Sequence, residues 1–354
     1  MTDLLALTET LVAIPSESHQ ETEIVDWLVA ELGSLPWLTL DRVGENLVAR
    51  TTLDRPTRVI LAGHTDTVPV NGNGTPRIEG DTLWGLGSTD MKAGLAVMVE
   101  LARTVSDPAV DVSYVFYAAE EVAAVHNGLA HLFRDRPELV AGDVALIGEP
   151  TDGVIEAGCQ GSLRMLVTLH GARAHAARPW MGDNAIHRLG RVLAAVEARP
   201  ARDPVIDGCE FREALQAVAV SGGVAANVVP DLATVTLNHR FAPDRTAAEA
   251  EASIRDLLAP VLAEGDQVEV IDVAAAALPA LDHPVLRSII DRNQLPVRSK
   301  LGWTDVARFA EHGIPATNFG PGEATLAHAA DERVHRAPIQ RCFEVLDQLL
   351  RTGP

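Results

Sequence analysis

The sequence predicts an α/β protein with a smaller domain inserted into the main one, and two observations predict it. Short apolar runs alternate with helical stretches through the first 160 residues, the pattern of a sheet covered on both faces. From residue 161 to residue 278 the order becomes β-α-β-β-α-β, the split arrangement of a ferredoxin-like module, and the α/β character then resumes. The chain therefore reads as a discontinuous main domain, residues 1–160 and 279–354, around an insert at 161–278.

The elements follow in order. Thr2–Leu32 carries apolar residues at helical spacing (Leu4, Leu7, Leu11, then Ile24, Trp27, Leu28) and is interrupted at Ile14-Pro15-Ser16, giving two helices around a turn. Asn46–Thr51, Arg58–Gly63, Val112–Ala118 and Asp143–Ile147 have the length and apolar character of buried strands, and Ala93–Val105 and Gly128–Phe133 are helical. In the insert, Ser162–His170 alternates as a strand and Asn184–Ala198 is helical. Ala214–Ser221 and Ala233–Arg240 are strands, Thr246–Leu262 is an Ala-rich helix, and Val268–Val273 is the last strand. Beyond Pro279, Ala316–Phe319 reads as a strand and Pro338–Leu350 as a helix.

Composition narrows the function classes. The chain of 354 residues is long enough for two or three domains. Its 29 Lys and Arg against 49 Asp and Glu give a net charge of −20, which repels nucleic-acid phosphates and anionic lipid surfaces. The longest apolar runs, such as Val270–Pro279, fall far short of the ~20 residues a membrane helix needs. Met1–Leu11 holds Asp3 and Glu9 but no Lys or Arg, so it lacks the basic start of a signal peptide. Cys159, Cys209 and Cys342 are scattered and odd in number, which excludes a disulfide framework or zinc finger and fits reduced thiols in a cytoplasm.

The candidate chemistry lies at strand ends. His64 and Asp66 follow the strand Arg58–Ala62, and residues i and i+2 on extended backbone face one side, so the carboxylate can orient the imidazole of a metal ligand. Gly85–Gly94 (GLGSTDMKAG) superficially resembles a dinucleotide fingerprint. Asp90 stands where the third glycine belongs, however, and would repel a pyrophosphate; on a Gly-rich turn it can reach a cation instead. Glu120-Glu121 abuts the apolar run Val112–Ala118, Gly148-Glu149-Pro150 ends Asp143–Ile147, and His328 follows Ala316–Phe319. Two histidines and several carboxylates at the carboxyl edge of a sheet, without sulfur, suit zinc, cobalt or manganese. A pair of such ions would need one shared carboxylate.

Taken together, Gly63–Val68 (GHTDTV), Gly85–Gly94, Glu120-Glu121, Gly148-Glu149-Pro150 and Ala327-His328 with Asp331-Glu332 resemble the di-zinc deacylase and exopeptidase metallohydrolase family along nearly the whole chain. The resemblance implies a mixed-sheet catalytic domain, with the insert as a dimerisation and lid domain and a homodimer as the assembly. It implies His64 and Glu149 as ligands of one Zn2+ (Co2+ being an alternative), Glu121 and His328 of the other, and Asp90 as the bridge. It further implies Asp66 as the partner of His64, Glu120 as general base, and His175 of the turn Gly171–His175 as oxyanion stabiliser. Asn227 and Arg240 match substrate-carboxylate positions. Glu156–Arg164 (EAGCQGSLR), Gly302–Phe309 (GWTDVARF) and Asn318–Val334 resemble most the desuccinylase branch, which acts on N-succinyl-diaminopimelate, with Thr304 and Asp305 at the diaminopimelate end. Many of that branch carry arginine where Gln160 stands; Arg164, Arg178 or Arg240 are the candidates to replace its guanidinium fork. Alternatives are acetylornithine deacetylase or a dipeptidase with the same metals, and a metal-free binding protein on this fold.

Overall fold

The computed structural model describes residues 3–354; Met1 and Thr2, where the predicted N-terminal helical stretch begins, lie outside them. The described chain forms two compact units, residues 3–157, 279–298 and 308–354 in the first and residues 158–278 and 299–307 in the second. No helix of the described residues is long and apolar enough to cross a membrane.

The first unit is built on an eight-stranded mixed sheet. Its order is Thr39–Val43, Asn46–Arg50, Asp111–Tyr117, Arg58–His64, Val144–Ile147, Ala316–Asn318, Ile155–Ala157 and Val297–Ser299. Asp111–Tyr117 is buried along its whole length and Arg58–His64 from Val59 on, which is why both read as unbroken apolar runs rather than alternating ones. The helix Leu4–Val12 is capped by Asp3, whose Oδ1 accepts from the Leu5 amide at 3.0 Å. The helices Leu4–Val12 and Arg336–Thr352 both pack against Ala93–Thr104. Ile339, Cys342, Phe343, Leu346, Leu349 and Leu350 form the buried stripe of Arg336–Thr352 at helical spacing.

In the second unit four antiparallel strands run in the order Ala214–Gly222, Leu232–Phe241, Gly161–His170, Gln267–Ala274. Leu163, Met165, Val167 and Leu169 alternate onto one face, where they pack with Val235, Leu237 and the helices Ala185–Glu197 and Ala247–Leu258. The second helix starts at a Thr246/Glu249 capping box, close to its expected start. It stops at Leu258 rather than Leu262, because Pro260 has no N–H to extend the ladder. Residues 299–307 belong with this unit: Trp303 Nε1 donates to the Ala275 carbonyl at 3.1 Å and Cys159 Sγ lies 3.7 Å from the Thr304 carbonyl. A two-residue strand pair, Val205–Ile206 with Cys209–Glu210, interrupts the expected order of elements.

A buried ion cluster ties this unit together. The Glu213 side chain, 1% exposed, meets Arg202 at 2.8 Å, Arg245 at 3.3 Å, Arg199 at 3.4 Å and His239 Nε2 at 3.7 Å. Burial works against its charge, but His239, the Ala242 amide and the arginines overcome this and hold the carboxyl at about 2. Its folded pKa is thus depressed, so the stability it adds is present above the ordinary glutamate value of 4.5 and is lost as pH falls toward about 2. Glu213→Ala strands the cations, and denaturant unfolding is expected to show a loss of about 3–5 kcal/mol. A loss below about 1 kcal/mol would show that solvent already screens the cluster.

Candidate active site

Four neighbouring strands of the large sheet, Asp111–Tyr117, Arg58–His64, Val144–Ile147 and Ala316–Asn318, run parallel, so their carboxyl ends share one edge. Ligands bind at this edge in open α/β sheets. His64 is the last residue of its strand. Glu120 and Glu121 stand just past Tyr117, Glu149 just past Ile147, and His328 in the loop after Asn318.

His64 and Asp66 are fully buried. His64 Nδ1 lies 3.0 Å from the Asp66 carbonyl oxygen and 3.5 Å from its carboxylate, which leaves Nε2 facing Asp90 Oδ1 at 3.1 Å. The other oxygen of Asp90, Oδ2, lies 3.6 Å from His328 Nε2. One carboxylate thus addresses both imidazoles, an oxygen to each. His328 Nε2 also meets Glu121 Oε1 at 2.8 Å. Ligand atoms of His64, Asp90 and Glu121 all lie within 4.8 Å of one another. Glu149, on the same edge, is buried.

The electrostatics express one demand. Burial disfavours an imidazolium at His64, yet Asp66 and Asp90 hold its pKa well above the usual value. Glu121 raises His328 to about 9 against some desolvation. Burial also opposes charge on Asp66, but His64, the Glu120 amide and the Ser18 hydroxyl hold it at about 2. Carboxylates packed this closely call for positive charge, and imidazole nitrogen with carboxylate oxygen and no sulfur is a donor set that fits a divalent zinc-like cation.

Buried carboxylates hold the acidic loops: Asp66, already expected beside His64, and Glu21 and Glu332, to which the sequence assigned no role. Asp66 Oδ1 accepts from the Glu120 amide at 3.0 Å and Oδ2 from the Glu121 amide at 3.1 Å. Glu21 Oε1 accepts from the amides of His19 at 2.9 Å and of Ala119 at 3.1 Å, and Ala119 has φ +56. Glu332 does the same for the turn that carries Asp90. Lys92 is buried with Nζ donating to the Ile14 carbonyl at 2.7 Å, and burial brings it down to about 8. Beneath the edge, backbone meets backbone: a Cβ on Gly94 would lie 2.3 Å from the Gly148 carbonyl oxygen, and one on Gly320 2.2 Å from the same atom. This close approach explains Gly94 and Gly320, while Gly87 and Gly322 have positive φ.

The remaining candidates lie in the second unit. His175 is exposed, and its Nδ1 accepts from the Ala177 amide at 3.0 Å, which leaves the proton of a neutral ring on Nε2. Arg178 is exposed, and so is Asn227, whose carbonyl accepts from Ala176 at 2.8 Å. Arg164 is ion-paired to Asp272 at 2.7 Å. Arg240 pairs in register with Ser162, two residues from Arg164, so the two arginines share a face. Burial first, and then Arg164, lower the pKa of Arg240. Thr304 and Asp305 are buried. Gln160 is buried with Nε2 donating to the Arg212 carbonyl at 2.8 Å.

The chain is similar to known proteins along nearly its whole length. A Mycobacterium tuberculosis protein provisionally named succinyl-diaminopimelate desuccinylase DapE is 48% identical over 98% of this chain and 98% of its own. The succinyl-diaminopimelate desuccinylase of Corynebacterium glutamicum is 44% identical over 98% of this chain and 96% of its own. The crystal structure of a tripeptidase from Staphylococcus aureus superposes with a TM-score of 0.81 at 21% identity, covering 99% of this chain and 98% of the other, and so shares the fold. The family model described as peptidase family M20/M25/M40 matches residues 60–352, and the chain belongs to that family.

Proposed function

We propose that the protein is a di-zinc amide hydrolase that removes the succinyl group from N-succinyl-LL-2,6-diaminopimelate, giving succinate and LL-diaminopimelate for lysine and cell-wall precursor synthesis in the cytoplasm. The observation that carries the site is the division of Asp90 between His64 and His328. The substrate rests on the names of the full-length relatives.

His64 and Glu149 would hold one ion and Glu121 and His328 the other, with Asp90 as the carboxylate shared between them. Zn2+ or Co2+ held there would supply Lewis acidity, polarising the amide carbonyl and lowering the pKa of a water toward ~7. Asp66 fixes the His64 ring so that Nε2 faces Asp90, where a metal would be held. Glu120 takes the proton of the attacking water as the C–O bond forms and delivers it to the leaving nitrogen as the C–N bond breaks. His175 offers its Nε2–H to the developing oxyanion. Asn227, Arg164, Arg178 and Arg240 serve the substrate carboxylates, with Arg164 and Arg240 supplying the fork absent at Gln160, and Thr304 and Asp305 serve the diaminopimelate end. The second unit is a ferredoxin-like dimerisation and lid domain. Its edge strand Ala214–Gly222 exposes Val218 and Val220 by 55% and 61%, which supports a homodimer through this domain.

The test is metal removal with two substrates. Chelation is expected to abolish hydrolysis of N-succinyl-diaminopimelate and added Zn2+ or Co2+ to restore it, with N-acetylornithine turned over far more slowly. Faster turnover of N-acetylornithine would reassign the chain to the sister deacylases. A chain that retains less than about one ion and gains nothing from added metal would be a binding protein.

A further inference from the structure

We infer that Glu332 is the positioning residue that fixes the bridging carboxylate Asp90, an inference that rests on the di-metal reading above. Glu332 is 1% exposed and stands four residues beyond His328. Its Oε2 accepts from the Gly87 amide at 3.0 Å, and its Oε1 accepts from Thr89 at 2.8 Å and from Asp90 itself at 3.0 Å. The neighbouring backbone reinforces the link. Gly85 N donates to the Glu332 carbonyl at 3.1 Å, Thr89 Oγ1 donates to the Arg333 carbonyl at 2.6 Å, and Arg333–His335 pairs with Thr82–Trp84.

Three amides of one turn that converge on one point need a side chain with two acceptor oxygens, and a carboxylate supplies both. The link does more than close a loop. It joins the segment carrying His328 to the backbone atom next to the Asp90 side chain, whose oxygens are divided between two histidines at 3.1 and 3.6 Å. A small rotation of this turn would move one oxygen off its imidazole while leaving the other in place. Asp66 plays the matching part for Glu120 and Glu121, whose amides it holds. The two acidic loops are therefore each gripped by a buried carboxylate outside the proposed ligand set, and of these two Glu332 is the one that holds the amide of the bridge.

The test compares wild type, Glu332→Gln and Glu332→Asp by equilibrium dialysis against buffered Zn2+ and Co2+, by the Co2+ absorption spectrum, and by thermal melts with and without metal. Glutamine keeps the volume but turns a donor toward one of the amides. The expected result for Glu332→Gln is metal affinity weakened about 10–100-fold, an altered Co2+ spectrum, and a metal-free melting temperature close to wild type. Glu332→Asp, which keeps both oxygens on a shorter stem, is expected to lose less affinity. A merely structural role would lower the metal-free melting temperature and leave the stabilisation gained on adding metal intact. Wild-type affinity and spectrum in Glu332→Gln would overturn the inference; if that variant does not fold, the same result in Glu332→Asp would overturn it. Wild type binding fewer than two ions per chain would instead defeat the di-metal reading itself.

Discussion

Glu120→Gln is expected to leave the protein folded and fully metal-loaded while kcat falls by about 10²–10⁴-fold. The substitution keeps the size of the side chain and removes its charge together with its capacity to accept and return a proton. The backbone that presents it is held independently of its carboxylate: Asp66 grips the Glu120 amide at 3.0 Å and Glu21 grips the preceding Ala119 amide at 3.1 Å. The loop should therefore keep its place, and KM should change far less than kcat. Metal content by elemental analysis, read beside steady-state kinetics, checks the split. Near-normal turnover would show that another group moves the proton, and loss of metal would show that Glu120 is a ligand.

Asp90→Asn is expected to act in the opposite order, losing metal first and activity as a consequence. Asparagine offers one carbonyl oxygen in place of two carboxylate oxygens and carries no charge. It can face His64 or His328 but not both, whereas Asp90 faces both. Loss of the paired site removes several kcal/mol of charge stabilisation, so activity should fall by about 10³-fold or more. Metal titration should show at least one ion bound much more weakly, with the unfolding midpoint of the metal-free protein little changed. An Asp90→Asn protein that holds two ions as tightly as wild type would remove Asp90 from the bridging position.

The sequence revealed strand ends better than it revealed the links between loops. Val112–Ala118 and Asp143–Ile147 were legible because strands buried on both faces must be apolar throughout, and a charged residue just beyond such a run marks the sheet edge. Arg77–Glu79, Thr82–Trp84, Ile155–Ala157 and Arg333–His335 escaped notice, since three residues are too few to set a period. Glu21 and Glu332 escaped for a different reason. Their partners are backbone amides 98 and 242 residues away, and an amide has no sequence signature. Glu332 did stand inside a stretch singled out for His328, but nothing local separated it from Asp331. The Arg164–Asp272 pair depends on strand register, which only the folded sheet sets.

The stacked glycines carry a consequence for how this centre can change. Gly94 and Gly320 both close on the Gly148 carbonyl, so the gap between the helix after Asp90, the loop of Glu149 and the loop leading to His328 is one carbonyl thick at that point. That gap has no intermediate setting. It cannot be widened slightly by a larger residue at Gly94 or Gly320, because the smallest carbon added there already overlaps a backbone oxygen. New preferences for metal or substrate must therefore arise by exchanging individual side chains above an invariant floor, and variants that alter the floor should fail at folding before they reveal a new specificity.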